Sequence, residues 1–150
     1  MKQSELLDKL IPAFIKMQKE IPVLPRDSEN PYFHSGYADI ATVCKQTKPI
    51  MQKYGFAIMQ GCTVPVSTSG QTVIVNTRLV HESGQWIESE LLLGIEKPDP
   101  QKLTAAITYG RRTSWAMLLG AVQDGEDDDG NKAQGLKVAP GKKISDADPF

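Results

Sequence analysis

The chain has 150 residues, 40% of them apolar, with 17 Lys/Arg against 18 Asp/Glu and two cysteines. That length fits one domain with a real core, and a formal charge of −1 gives no global attraction to nucleic acid or to a membrane surface. No apolar run approaches the roughly 20 residues that span a bilayer, the first ten residues lack a secretory pattern, and Cys44 and Cys62 form neither a metal spacing nor a disulfide framework, so a cytoplasmic protein with no membrane partner is expected.

The charge is unevenly spread. Residues 1–123 carry 13 Lys/Arg and 11 Asp/Glu, whereas residues 124–150 carry 4 and 7. A weakly basic body, 1–123, and an acidic tail, 124–150, follow from that division, each with its own kind of partner.

In chain order, Leu6, Leu7, Leu10, Ile11, Phe14 and Ile15 recur at helical spacing behind Ser4, a residue suited to an N-cap. A first helix is expected to about Lys19, bent or restarted near Pro12, and Pro22 and Pro25 stop it. Residues 23–36 are polar, proline-bearing and aromatic-tipped, which predicts an exposed loop. A second helix is expected over 37–54, with Ile40, Val43, Cys44, Thr47, Ile50 and Met51 on its core side. Gly55 suits a left-handed cap, and Pro49 removes one hydrogen bond.

The period then changes from helical to alternating. Residues 56–64, 71–81 and 85–95 predict three strands, with Val73, Val75, Thr77 and Leu79 on one face of the second. Turn residues at 67–70 and 82–84 join them as an antiparallel meander. A long helix is expected over 99–119, closed by Gly120. Beyond Gln123 apolar periodicity is lost, and the tail is expected to be disordered. The fold class is α+β: two helices, a three-stranded antiparallel meander, one long helix and a tail.

Catalytic chemistry finds little support. No glycine-rich phosphate loop is present, and His34 and His81 lack partners at metal-ligand spacing; His81, beside a turn, is expected to be a solvated strand end. No cofactor, metal or catalytic residue is expected. Asp124, Glu126, Asp127, Asp128 and Asp129 offer oxygen ligands of the kind hard cations take, but consecutive acids on a flexible chain do not converge on one ion. A metal-dependent nuclease built on that run is the enzymatic alternative.

The last helix is the most informative stretch. Ala106, Gly110 and Ser114 recur every four residues as a small stripe that allows close approach to a sheet or helix. Lys102, Tyr109 and Arg112 lie near another face, a cation–aromatic–cation row suited to a nucleic-acid backbone and one stacked base. Arg111 or Arg112 could instead pair with Glu88 or Glu90 as a structural ion pair. Tyr32, Phe33 and Tyr37 form an aromatic cluster that could stack on bases, or close over the core or a neighbouring subunit.

Residues 30–40 (NPYFHSGYADI), 77–91 (TRLVHESGQWIESEL) and 98–131, which hold AITYGRR, LLGA and EDDDGN in order, together resemble the Erf (essential recombination function) family of phage single-strand annealing proteins. Gly110, where that family often has Ala, and the step Thr113, Ser114, Trp115 depart from its pattern. The resemblance implies binding of single-stranded DNA and ATP-independent annealing of complementary strands in the bacterial host cell, carried out by homo-oligomers such as rings rather than by an enzyme. It makes Tyr109, Arg111 and Arg112 the foremost DNA-binding candidates, followed by Lys102, Tyr32, Phe33 and Tyr37. The chain ends in Asp146, Ala147, Asp148, Pro149 and Phe150, which resembles the terminal peptide by which bacterial single-stranded DNA-binding proteins dock partners. Asp146, Asp148, Pro149 and Phe150 are therefore candidate contacts to host replication machinery, and a pure interaction module is the third reading of the chain.

Overall fold

Alternation along residues 71–81 organises the molecule, because every second side chain of a strand points to the same face. In the computed structural model, which describes residues 1–30, 35–65, 71–95 and 99–124, Val73, Val75, Thr77 and Leu79 are fully buried. The elements run β1 (Lys2–Gln3), α1 (Leu10–Gln18), β2 (Ser28–Asn30), β3 (Ser35–Tyr37), α2 (Ile40–Lys53), β4 (Phe56–Thr63), β5 (Gln71–His81), β6 (Trp86–Ile95) and α3 (Pro100–Leu119). The sequence-based expectations for Tyr32, Phe33, His34, the acidic run past Asp124, and Asp146, Asp148, Pro149 and Phe150 concern residues outside those described.

The fold is α+β, with three helices among the described residues and a four-stranded antiparallel sheet in the order β1-β6-β5-β4. The expected meander is its centre: β4 pairs with β5 from Phe56↔His81 to Thr63↔Ile74, and β5 with β6 from Gln71↔Ile95 to Val80↔Trp86. Gly84, at φ +84°, makes the tight turn between β5 and β6, and Gly55, at φ +72°, closes α2 in the left-handed conformation expected of it. Pro49 lies inside α2.

Three expectations are corrected. Ser4 starts no helix; its backbone N–H donates to the Trp86 carbonyl at 2.9 Å, extending the pairing of β1 along β6. The first helix begins at Leu10, where the Gln85 side-chain oxygen accepts from the N–H groups of Lys9 and Leu10 at 2.9 and 2.8 Å. Pro12 therefore falls in the first turn, where its missing N–H costs nothing. The segment expected as a loop contains the small β2–β3 sheet, in which Ser28 faces Tyr37, so Tyr37 is a strand residue and not part of α2. Asp39 caps α2 instead, accepting from Thr42 N–H at 2.7 Å. Finally, His81 is 8% exposed and stacks at 4.9 Å on Phe56, so it belongs to the core rather than to a solvated strand end.

Leu10 and Met17 of α1, Val43 and Met51 of α2, Phe56, Leu79, and Trp115, Leu118 and Leu119 of α3 form the main core. A second cluster gathers Val73, Val75 and Ile95 under Leu103, Ala106 and Ile107 of α3. Each fully buried aliphatic side chain stabilises by about 1.5–3 kcal/mol relative to exposure.

Candidate nucleic-acid interface

α3 is defined at both ends by its own residues. Asp99 accepts from Lys102 N–H at 2.8 Å, Pro100 occupies the first turn, and Gly120 turns left-handed at φ +66°. The small stripe then sets how close the helix comes to the sheet. A Cβ on Gly110 would lie 2.6 Å from Val75 Cγ2 and 2.9 Å from Leu93 Cδ1, so the backbone of α3 rests directly on β5 and β6.

One turn further on, polar groups lock this contact. Ser114 Oγ lies 2.7 Å from Thr77 Oγ1 and donates to the Gly110 carbonyl, both hydroxyls being buried. Gln60 of β4 donates through Nε2 to Thr77 Oγ1 at 3.0 Å and to the Arg111 carbonyl at 2.9 Å. Its oxygen accepts from Arg111 Nε at 3.4 Å. Trp115 Nε1 donates to Thr47 Oγ1 of α2 at 3.1 Å, which ties the two helices side by side. These bonds fix where residues 111 and 112 emerge.

Arg112 carries the central geometry. Its guanidinium carbon lies 4.2 Å from the Tyr37 ring and 5.3 Å from the Tyr109 ring, close enough for cation–π attraction to both. Tyr109 is 50% exposed, and Arg111 is exposed beside the pair. Tyr37 is brought to α3 by backbone bonds that sequence reading missed. Its carbonyl accepts from Asp27 N–H at 3.2 Å, and the next N–H, of Ala38, donates to Gln123 Oε1 at 2.8 Å. Leu24 adds a further tie, exchanging backbone bonds with Val122 and Asp124.

Burial, with a smaller contribution from Asp39, pushes the Cys44 thiol upward, while Lys48 of α2 and Arg111 of α3 pull it down. Lys48 Nζ also lies 5.8 Å from the Trp115 ring. The alternative pairing of Arg111 or Arg112 with Glu88 or Glu90 does not form. Glu88 accepts from Arg78 Nε at 2.7 Å and Glu90 from Lys2 Nζ at 2.9 Å. Among the described residues no carboxylate pairs with Arg111 or Arg112.

Of the candidates named from sequence, Tyr37, Tyr109, Arg111 and Arg112 come together. Lys102 stands two turns away, with Nζ 3.5 Å from Asp99 Oδ2. Lys48 and Gln60 were missed as site residues. Gln60 left one signal: it is a polar residue in the inward phase of Phe56 and Ile58, facing Thr77 across the ladder. A cleft of about 60 Å³ opens beside Arg112, lined by Val43, Thr113, Ala116, Met117, Ala121 and Gln123. That is far below the roughly 300 Å³ at which small-molecule pockets begin. Among the described residues no group of three or more His, Cys, Asp or Glu could hold a metal ion, and no helix is long and apolar enough to cross a membrane.

The molecule is thus an α+β sheet carrying an arginine–tyrosine cluster where α3 meets the β2–β3 segment. The family model described as the ERF superfamily matches residues 11–147, and the chain belongs to that superfamily. No curated protein matches the chain.

Proposed function

We propose that the chain binds single-stranded DNA and anneals complementary strands without ATP, in phage-type homologous recombination in the bacterial cytoplasm, acting as a multimer and not as an enzyme. Membership of the ERF superfamily supports the setting. The observation that carries the reading is the Tyr37–Arg112–Tyr109 cluster with Arg111 beside it and, among the described residues, no carboxylate on either guanidinium. Arginines free of internal ion pairs keep their donors for phosphate, and the half-exposed Tyr109 ring offers a base a stacking face. Few cations per copy make each contact modest, so a row of copies along one strand gives the affinity that one copy lacks. Residues 1–123 form the annealing unit in this reading. Residues 124–150 are an acidic tail whose Asp146, Asp148, Pro149 and Phe150 dock host replication or single-stranded DNA-binding proteins.

The test is Arg111→Ala combined with Arg112→Ala. The double variant is expected to fold, since among the described residues it breaks no ion pair, and to lose annealing of purified strands in the absence of ATP. Its binding to single-stranded DNA loses about 0.7 log units of salt slope for each phosphate contact removed. A folded variant that anneals like the parent moves the site elsewhere. Annealing that disappears in EDTA would favour the nuclease-like, metal-dependent alternative.

A further inference from the structure

We infer that Gln60 of β4 is the positioning residue for Arg111, holding the guanidinium at Nε with a neutral acceptor so that its charge and both Nη groups stay free for a phosphate diester. This role rests on the single-stranded DNA reading above and refines it, because Gln60 acts through Arg111.

A side-chain amide can face either way, and here a chain of hydroxyls decides. Ser114 Oγ donates its one proton to the Gly110 carbonyl at 2.7 Å, so it accepts from Thr77 Oγ1, 2.7 Å away. Thr77 Oγ1 has then spent its own proton and accepts from Gln60 Nε2 at 3.0 Å. The second hydrogen on Nε2 goes to the Arg111 carbonyl at 2.9 Å. Turning the amide over would set an oxygen against that carbonyl and a donor against the Arg111 Nε–H, so the acceptor end must face Nε, which donates to it at 3.4 Å. Both hydroxyls are buried, and Ser114 belongs to the small stripe that seats α3 on the sheet. The core, not solvent, therefore sets which end of Gln60 meets Arg111.

The same sheet shows what a charged partner does instead. Arg78 of β5 gives its Nε to the Glu88 carboxylate at 2.7 Å, which takes up the hydrogen bond and the charge together. Lys2, Lys53 and Lys102 are likewise paired with Glu90, Glu20 and Asp99. Arg111 has an amide in the carboxylate's place, and among the described residues its side chain makes no other hydrogen bond. An amide orients a guanidinium without neutralising it. The outer edge of that group is a planar fork that matches two phosphate oxygens. Fixing Nε beforehand removes rotamer freedom that phosphate binding would otherwise have to quench.

The test is the salt dependence of oligothymidylate binding by the full chain, read by fluorescence anisotropy, with Tm as the check on folding. Gln60→Glu and Gln60→Met are each made in the parent and in Arg111→Ala. Gln60→Glu sets a carboxylate on Arg111 and is expected to lower the salt slope by about 0.7 log units, one phosphate contact, as Arg111→Ala does. In the Arg111→Ala background it is expected to lower the slope no further. Gln60→Met leaves the charge but not its orientation, so the slope is kept while affinity falls severalfold, and only where Arg111 is present. This variant carries the test should Gln60→Glu fail to fold. A folded Gln60→Glu with the parent's slope, beside an Arg111→Ala that loses it, overturns the positioning role alone. Gln60→Met that weakens binding equally in both backgrounds makes Gln60 merely structural and overturns that role too. Arg111→Ala with the parent's slope overturns the phosphate contact at Arg111, and the role of Gln60 with it.

Discussion

Arg112 is held by two tyrosine rings, and that arrangement asks for a planar cation. A guanidinium can lie over Tyr37 at 4.2 Å and still present N–H groups at its edge, whereas an ammonium is a compact, strongly hydrated charge. Arg112→Lys therefore separates charge from shape. It is expected to keep the salt slope of single-stranded DNA binding while weakening affinity severalfold, since a cation–π contact of this kind contributes about 0.5–1 kcal/mol at an exposed site. A full loss of slope, equal to that of Arg112→Ala, would mean the lysine cannot reach the phosphate and that the rings position the charge rather than share in the contact. The same cluster shows what the sequence can and cannot disclose. Tyr109 and Arg112, three residues apart on one helix, are neighbours by helical geometry alone. Tyr37 joins them only through a tertiary path, the Asp27, Ala38 and Gln123 hydrogen bonds, that no local pattern encodes.

For whole elements, α3 depends on the absence of a side chain at position 110. Alanine has the higher helix propensity by about 1 kcal/mol, but its methyl would press on Val75, a stiff β-branched and fully buried residue, and on Leu93. Overpacking of this kind costs about 1–3 kcal/mol, so Gly110→Ala is expected to lose about 1 kcal/mol net and a few degrees of Tm. Gly61→Ala, with nothing near its Cβ position, is the matched control and should lose no more than the difference in strand packing. Calorimetry that finds Gly110→Ala as stable as the parent would show that the helix can lift off the sheet without penalty. The elements that were legible are those whose signals are local. Alternation alone marks β5 to its exact ends, and Asp99 and Gly120 bracket α3. Those that were missed are short or are completed from afar. β1, β2 and β3 span two or three residues and carry no period, while α1 is capped by Gln85, more than seventy residues away.

For the molecule as a whole, the division of charge separates the surface proposed for DNA from the segment proposed for protein partners. The body carries a +2 excess over residues 1–123 and the tail −3 over 124–150, so the tail contributes no cation-rich surface to the strand. Ordering a residue costs about 1–2 kcal/mol of backbone entropy, and the sequence beyond residue 131, whose large apolar side chains are only Leu136, Val138, Ile144 and Phe150, offers little apolar area to offset it. Truncation after residue 131 is therefore expected to leave annealing of purified strands and the assembled mass unchanged. The finer prediction concerns the last side chain. Phe150 is the tail's one large aromatic anchor, and Asp146 and Asp148 can steer an encounter with a basic rim but cannot hold it. Removing Phe150 alone should leave single-stranded DNA binding intact yet abolish capture of host replication proteins, because its ring is the apolar group that would fill a small pocket. The comparison is a pull-down by the full chain and by the chain ending at Pro149. The same proteins recovered by both would remove the Pro-Phe end from the recruiting role and leave the tail as a solvating segment.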